Sequence, residues 1–176
     1  LYRQAAEQGY VRAQCNLGFC YYRGIGVPED GAEAVKWFVK AAEAGQPRAQ
    51  NLLAECYESG VGVERDMEQA VELYRKAHEQ QYPSATCALG VCYEFGKGVV
   101  MDRERAAQLY LEAARQGSAW AQCNYGYCLY QGIGVEINDA EAVKWFRKAS
   151  EQGSARARYL LGECYEYGYG GEKDIN

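Results

Sequence analysis

The chain has 176 residues, 48% hydrophobic and 24% charged, with a formal net charge of −5 and an isoelectric point near 5.1. Such a balance argues against a nucleic-acid backbone or an anionic membrane as the main partner, since both demand clustered Lys and Arg. No apolar run approaches the roughly 18 residues that span a bilayer and no signal-peptide order opens the chain, so it reads as soluble, without direct membrane insertion.

In chain order, Leu1-Tyr2-Arg3-Gln4-Ala5-Ala6-Glu7-Gln8-Gly9 matches Trp37 to Gly45 and reads as the second helix of a repeating unit. The stretch from Ala13 to Val27 then reads as a helix closed by a glycine loop. It returns from Ala49, Ala85, Ala121 and Ala157, a spacing of 36 residues. Each period holds two helices, because Ala13, Leu17, Cys20 and Tyr21 share one helical face and Ala34, Trp37, Phe38 and Ala41 share another. The spacing predicts helices over 1–8, 12–23, 31–44, 48–59, 67–80, 84–95, 103–116, 120–131, 139–152 and 156–167. Asp30 with Glu33, Asp66 with Gln69 and Asn138 with Glu141 read as N-caps with capping boxes; Asp102 lacks the box. Gly24, Gly60, Gly96 and Gly132 stand where the first helix must stop, and the loop glycines return as far as Gly168 and Gly170. Gly9, Gly45, Gly117 and Gly153 end the second helix, with Gln81 as the exception. Gly18, Gly90, Gly126 and Gly162 lie inside first helices, where close approach of a neighbouring helix is expected to offset their helix penalty. The chain ends at Glu172 to Asn176, where another helix is expected to start, so a fragment of a longer array is expected.

The pattern A-x-x-x-L-G-x-x-Y-x-x-G-x-G-V, followed by D-x-x-x-A and W-F-x-K-A-A-E-x-G, resembles the Sel-one-like repeat (SLR) family, a relative of the tetratricopeptide repeat. The resemblance covers essentially the whole chain as one array: a partial repeat at 1–9, repeats at 10–45, 46–81, 82–117 and 118–153, and a partial repeat at 154–176. It implies an all-α, right-handed α-solenoid whose first helices line a concave groove. It also implies a non-enzymatic adaptor or scaffold that holds a protein or peptide segment. The alternatives are a structural or self-assembly spacer that associates through exposed terminal repeats, and the regulatory array of an enzyme whose catalytic domain lies outside the sequence. Residues 1–68 and 109–176 are identical at about 40 of 68 positions, which points to a duplicated three-repeat block.

If the first helices follow tetratricopeptide geometry, the groove positions are those equivalent to 12, 15, 16, 19, 22 and 23. The candidate binding residues are Arg12, Asn16, Phe19, Tyr22, Arg48, Glu55, Glu58, Glu94, Trp120, Asn124, Tyr127, Tyr130, Tyr159, Glu163 and Glu166. Cys15, Arg23, Cys123, Gln131, Arg156 and Tyr167 fall at equivalent places. Rings supply contact area and polar groups set register. By the resemblance, an asparagine at the Asn16 position grips peptide backbone, whereas on the residues alone Asn16 and Asn124 could equally brace neighbouring helices.

Of the eight cysteines, Cys20, Cys56, Cys92, Cys128 and Cys164 hold one core position in every repeat, and stacked equivalents about 10 Å apart exceed the reach of a disulfide. Cysteine-rich relatives bridge the positions equivalent to 42 and 50, which here are Ala42 and Gln50, or His78 and Thr86. No disulfide is expected, a reducing, cytoplasmic setting is favoured, and Cys15, Cys87 and Cys123 become reactive only if they face the groove. With one histidine and no C-x-x-C there is no metal site, no cofactor site and no catalytic constellation, so no enzymatic activity is expected.

Overall fold

The structure, a computed structural model, describes residues 2–169. They form ten helices and no strand: α1 (Tyr2–Glu7), α2 (Val11–Arg23), α3 (Gly31–Glu43), α4 (Pro47–Ser59), α5 (Met67–Glu79), α6 (Pro83–Phe95), α7 (Arg103–Arg115), α8 (Ala119–Gln131), α9 (Asp139–Glu151) and α10 (Ala155–Tyr167). This is the all-α architecture of a helical-repeat solenoid, and every boundary lies within one residue of its sequence expectation. Gly170 and the helix expected after Glu172 lie outside the described residues.

Four of the five first helices begin one residue early for a local reason. Pro47 and Pro83 occupy the first helical position, where a missing N–H costs nothing. Ser118 Oγ accepts from Ala121 N and Ser154 Oγ from Ala157 N, caps that the hydrophobic pattern did not reveal. The second helices carry the expected N-caps: Asp30, Asp66, Asp102 and Asn138 accept from the backbone N–H three residues on. The reciprocal arm of the capping box is diverted. Glu33 accepts instead from Lys36 Nζ at 3.0 Å and Trp37 Nε1 at 3.1 Å. Glu141 likewise turns to Lys144.

The second helices of the other repeats turn through glycines with φ between 83° and 91°, whereas Gln81 adopts φ 59°. An L-residue pays about 1 kcal/mol or more in this region. Gln81→Gly is therefore expected to raise the melting temperature by a few degrees, a gain near 1 kcal/mol. An unchanged or lower midpoint in a thermal melt would contradict this.

By internal contacts the chain divides into two compact units, Leu1–Ala85 and Thr86–Asn176. In the first, Ala34, Phe38, Ala41, Ala49, Leu53 and Cys56 form the core, with a smaller cluster of Ala6, Ala13, Leu17 and Trp37. In the second, Ala106, Tyr110, Ala121, Cys128, Phe146 and Cys164 do the same. Small side chains let the helices approach closely. A Cβ on Gly18 would meet Phe38 Cδ1 at 2.7 Å, one on Gly90 would meet Tyr110 Cε1 at 2.7 Å, and one on Gly126 would meet Phe146 Cε1 at 2.8 Å. At Gly162 nothing among the described residues lies within 4 Å of an added Cβ, and the helix expected to pack against it falls outside the described residues.

Neighbouring repeats are also tied by polar side chains. Gln14 Nε2 donates to Ala6 O, Gln50 Nε2 to Ala42 O and Gln122 Nε2 to Ala114 O, at 3.2–3.3 Å. The pair of positions 42 and 50, bridged by cysteines in the resemblance above, is thus joined here by a glutamine amide.

Candidate functional site

In the first unit, Arg48 at the start of α4 donates through Nη1 to Asn16 Oδ1 on α2 at 3.0 Å, and its guanidinium lies 5.0 Å from the Phe19 ring centroid. In the second, Arg156 at the start of α10 donates to Asn124 Oδ1 on α8 at 2.9 Å and lies 5.2 Å from the Tyr127 ring. The two arrangements are offset by the length of three repeats, as the duplicated sequence block leads one to expect. An amide oxygen and an aromatic face together restrict a long, flexible side chain to one orientation.

The position of Tyr22 pairs with the aromatic 16 residues downstream, in one of two ways. Tyr22 packs edge-on against Phe38, with centroids 6.2 Å apart, and Tyr130 packs likewise against Phe146 at 6.4 Å. In the intervening repeats Tyr74 OH donates to Glu58 Oε2 at 2.9 Å, and Tyr110 OH donates to Glu94 Oε2 at 2.6 Å. Burial and the Glu94 carboxylate both hold the Tyr110 hydroxyl protonated far above its usual range. Burial also raises the carboxyl of Glu55, which accepts from Asn51 Nδ2 at 2.7 Å.

The remaining groove candidates divide by exposure. Arg12, Trp120, Tyr159 and Glu166 are exposed, with Trp120 at 48% and Tyr159 at 66%. Tyr159 OH donates to Glu163 Oε1 at 2.8 Å, and Tyr130 also meets Tyr169 edge-on at 5.5 Å. Asn124 is only 7% exposed and its amide is spent inside the unit, because Nδ2 donates to Cys87 Sγ while Oδ1 accepts from Arg156. Cys15, Cys87 and Cys123, considered as reactive groove thiols, are buried. Burial pushes all three thiols up, Cys87 to about 12, which removes the thiolate that reactivity needs. Cys20 is only partly covered, unlike its four buried equivalents.

Within the second unit Glu94, Tyr110, Trp120, Asn124, Tyr127 and Arg156 border a cavity of about 580 Å³. Phe95, 63% exposed, and Arg103 complete its rim together with Val91 and Ile133. Sequence reasoning missed these last four and Tyr110. Phe95 sits at the variable position equivalent to Arg23, but Arg103 belongs to a second helix, which the groove rule leaves out. Among the described residues no cluster of His, Cys, Asp or Glu could hold a metal ion, and no helix is long and apolar enough to cross a membrane.

The Sel1 repeat family matches residues 1–10, 11–46, 47–82, 83–118, 121–154 and 155–176. Among solved structures, the chain resembles c5321, a protective antigen of uropathogenic Escherichia coli with an SLR fold, at 40% identity and a TM-score of 0.89. That match covers 98% of this chain and 37% of the antigen, so the chain spans well under half of that relative. A Sel1 repeat protein from Oxalobacter formigenes is 34% identical with a TM-score of 0.82, covering 95% of this chain and 69% of that one. Helicobacter pylori cysteine rich protein B is 30% identical with a TM-score of 0.60, over 76% of this chain and 96% of its own. No match was found among curated proteins.

Proposed function

Because the chain belongs to the Sel1 repeat family, whose members typically mediate protein–protein interaction and are generally non-catalytic scaffolds, we propose that it is a scaffold that binds a peptide or protein segment along its first-helix faces. The observation that carries this reading is the cavity beside Trp120, where an exposed indole, a Tyr127 ring and an oriented arginine converge. Large aromatic and arginine side chains at a partly open site are the usual energetic anchors of protein recognition. Asn124 serves this site as a positioning residue, since it holds Arg156. Arg48, Asn16 and Phe19 provide the same device in the first unit.

The reading is tested by partner capture with the whole chain. Trp120→Ala combined with Tyr127→Ala is expected to lower recovery of bound proteins at least tenfold, with helical content and solution mass unchanged. Equal recovery would reject a role for this face. A fall in solution mass on changing the exposed residues of α10 would favour the self-assembling spacer.

A further inference from the structure

The guanidinium of Arg156 offers five donors and spends one on Asn124 Oδ1, while the Tyr127 ring covers one face. Among the described residues it has no carboxylate partner. Arg103, on the same rim, has none either. The one acid bordering the cavity is Glu94, one of whose oxygens already accepts from Tyr110 OH. Two cations therefore face one anion here, on a chain whose net charge is −5. Of the two, Arg156 is held in place by Asn124 and Tyr127, so an anionic group can be bound without first ordering the side chain that binds it. Beside this charge stand Trp120 and Phe95, 48% and 63% exposed, which leave apolar area for a neighbouring side chain.

We infer that this cavity binds an Asp or Glu side chain inside an extended segment of a partner protein, with Arg156 as the carboxylate anchor and Trp120 and Phe95 receiving bulky apolar residues beside it. An internal acid is favoured over a chain terminus because two exposed rings border the same cavity, and an internal residue brings neighbours on both sides to cover them. Glu94, with an oxygen still available, accepts a main-chain N–H of the same segment. The inference rests on the peptide-binding reading above and specifies its ligand.

The test selects random displayed peptides of about a dozen residues, joined to the carrier through their C-termini so that any acid preference belongs to side chains. Selection uses the whole chain. The expected winners carry Asp or Glu next to Phe, Trp or Leu. As synthetic, C-terminally amidated peptides they are expected to lose affinity about tenfold or more when the acid becomes its amide, the scale of a charge-assisted hydrogen bond. That difference is expected to vanish with Arg156→Gln, which keeps a donor for Asn124, and to persist in part with Arg156→Lys. Winners that depend on Trp120 but carry no acid, or whose acid preference survives Arg156→Gln in a variant with the parent melting temperature, would overturn the inference and leave peptide binding standing. Winners that bind Trp120→Ala as well as the parent would overturn both.

Discussion

Replacing Gly90 with leucine is expected to disrupt the second unit, at a cost of about 3 kcal/mol or more. The Cβ alone would stand 2.7 Å from Cε1 and 2.9 Å from Cδ1 of Tyr110. That ring is 1% exposed and its hydroxyl is anchored on Glu94, so it has little room to withdraw. Ala54 occupies the equivalent place in the second repeat with no exposure at all, which shows that a methyl group can be absorbed there. Gly90→Ala is accordingly expected to cost less than about 1 kcal/mol, its gain in helix propensity offsetting part of the crowding. Gly162→Leu is the control. With nothing among the described residues within 4 Å of its Cβ position, it is expected to stabilise the chain by about 0.5–1 kcal/mol through helix propensity. Chemical denaturation of the three variants reads these differences, and a Gly90→Leu chain with the parent midpoint would refute the packing argument.

The pairing of Glu94 with Tyr110 predicts the second large effect. Tyr110→Phe removes the donor to a partly buried carboxylate and is expected to cost about 1–3 kcal/mol. Glu94→Tyr alone sets one phenol against another without a carboxylate to accept either hydroxyl, and a similar loss is expected. Made together, the two changes recreate the edge-on contact of Tyr130 with Phe146, and stability is expected to return close to that of the parent. The coupling in this double-mutant cycle should exceed about 1 kcal/mol. Additive losses would mean that the exchange of Tyr·Phe for Glu·Tyr in the two middle repeats is not an energetic pairing. Because Glu94 borders the cavity, the rescued double variant also separates folding from recognition: it should fold, yet lose the acceptor proposed for a bound main chain.

The candidate groove residues read differently once placed. Trp120 and Tyr127 reach a common cavity, and Arg156 joins them from the next repeat. Glu58, Glu94 and Asn124 carry the same sequence signature as free groove residues but engage partners within their own units. A polar side chain on the exposed half of a helical wheel looks the same whether water, a ligand or a neighbouring helix takes its hydrogen bond. The deciding partners stand 16, 32 and 37 residues away, which no local periodicity encodes. The same holds for Cys15 and Cys123: their place on the wheel suggested groove thiols, and the packing of adjacent repeats buried them.

The sequence by itself determined the period, the helix pairs, their ends and the family, because each depends on interactions within a turn or two: apolar spacing, a capping side chain, a glycine with positive φ. Tertiary structure decided which side chains of the first helices remain open to a ligand and where two arginines come to share one cavity. Those outcomes depend on contacts between successive repeats, where small differences in side-chain reach choose between an internal partner and an outside one.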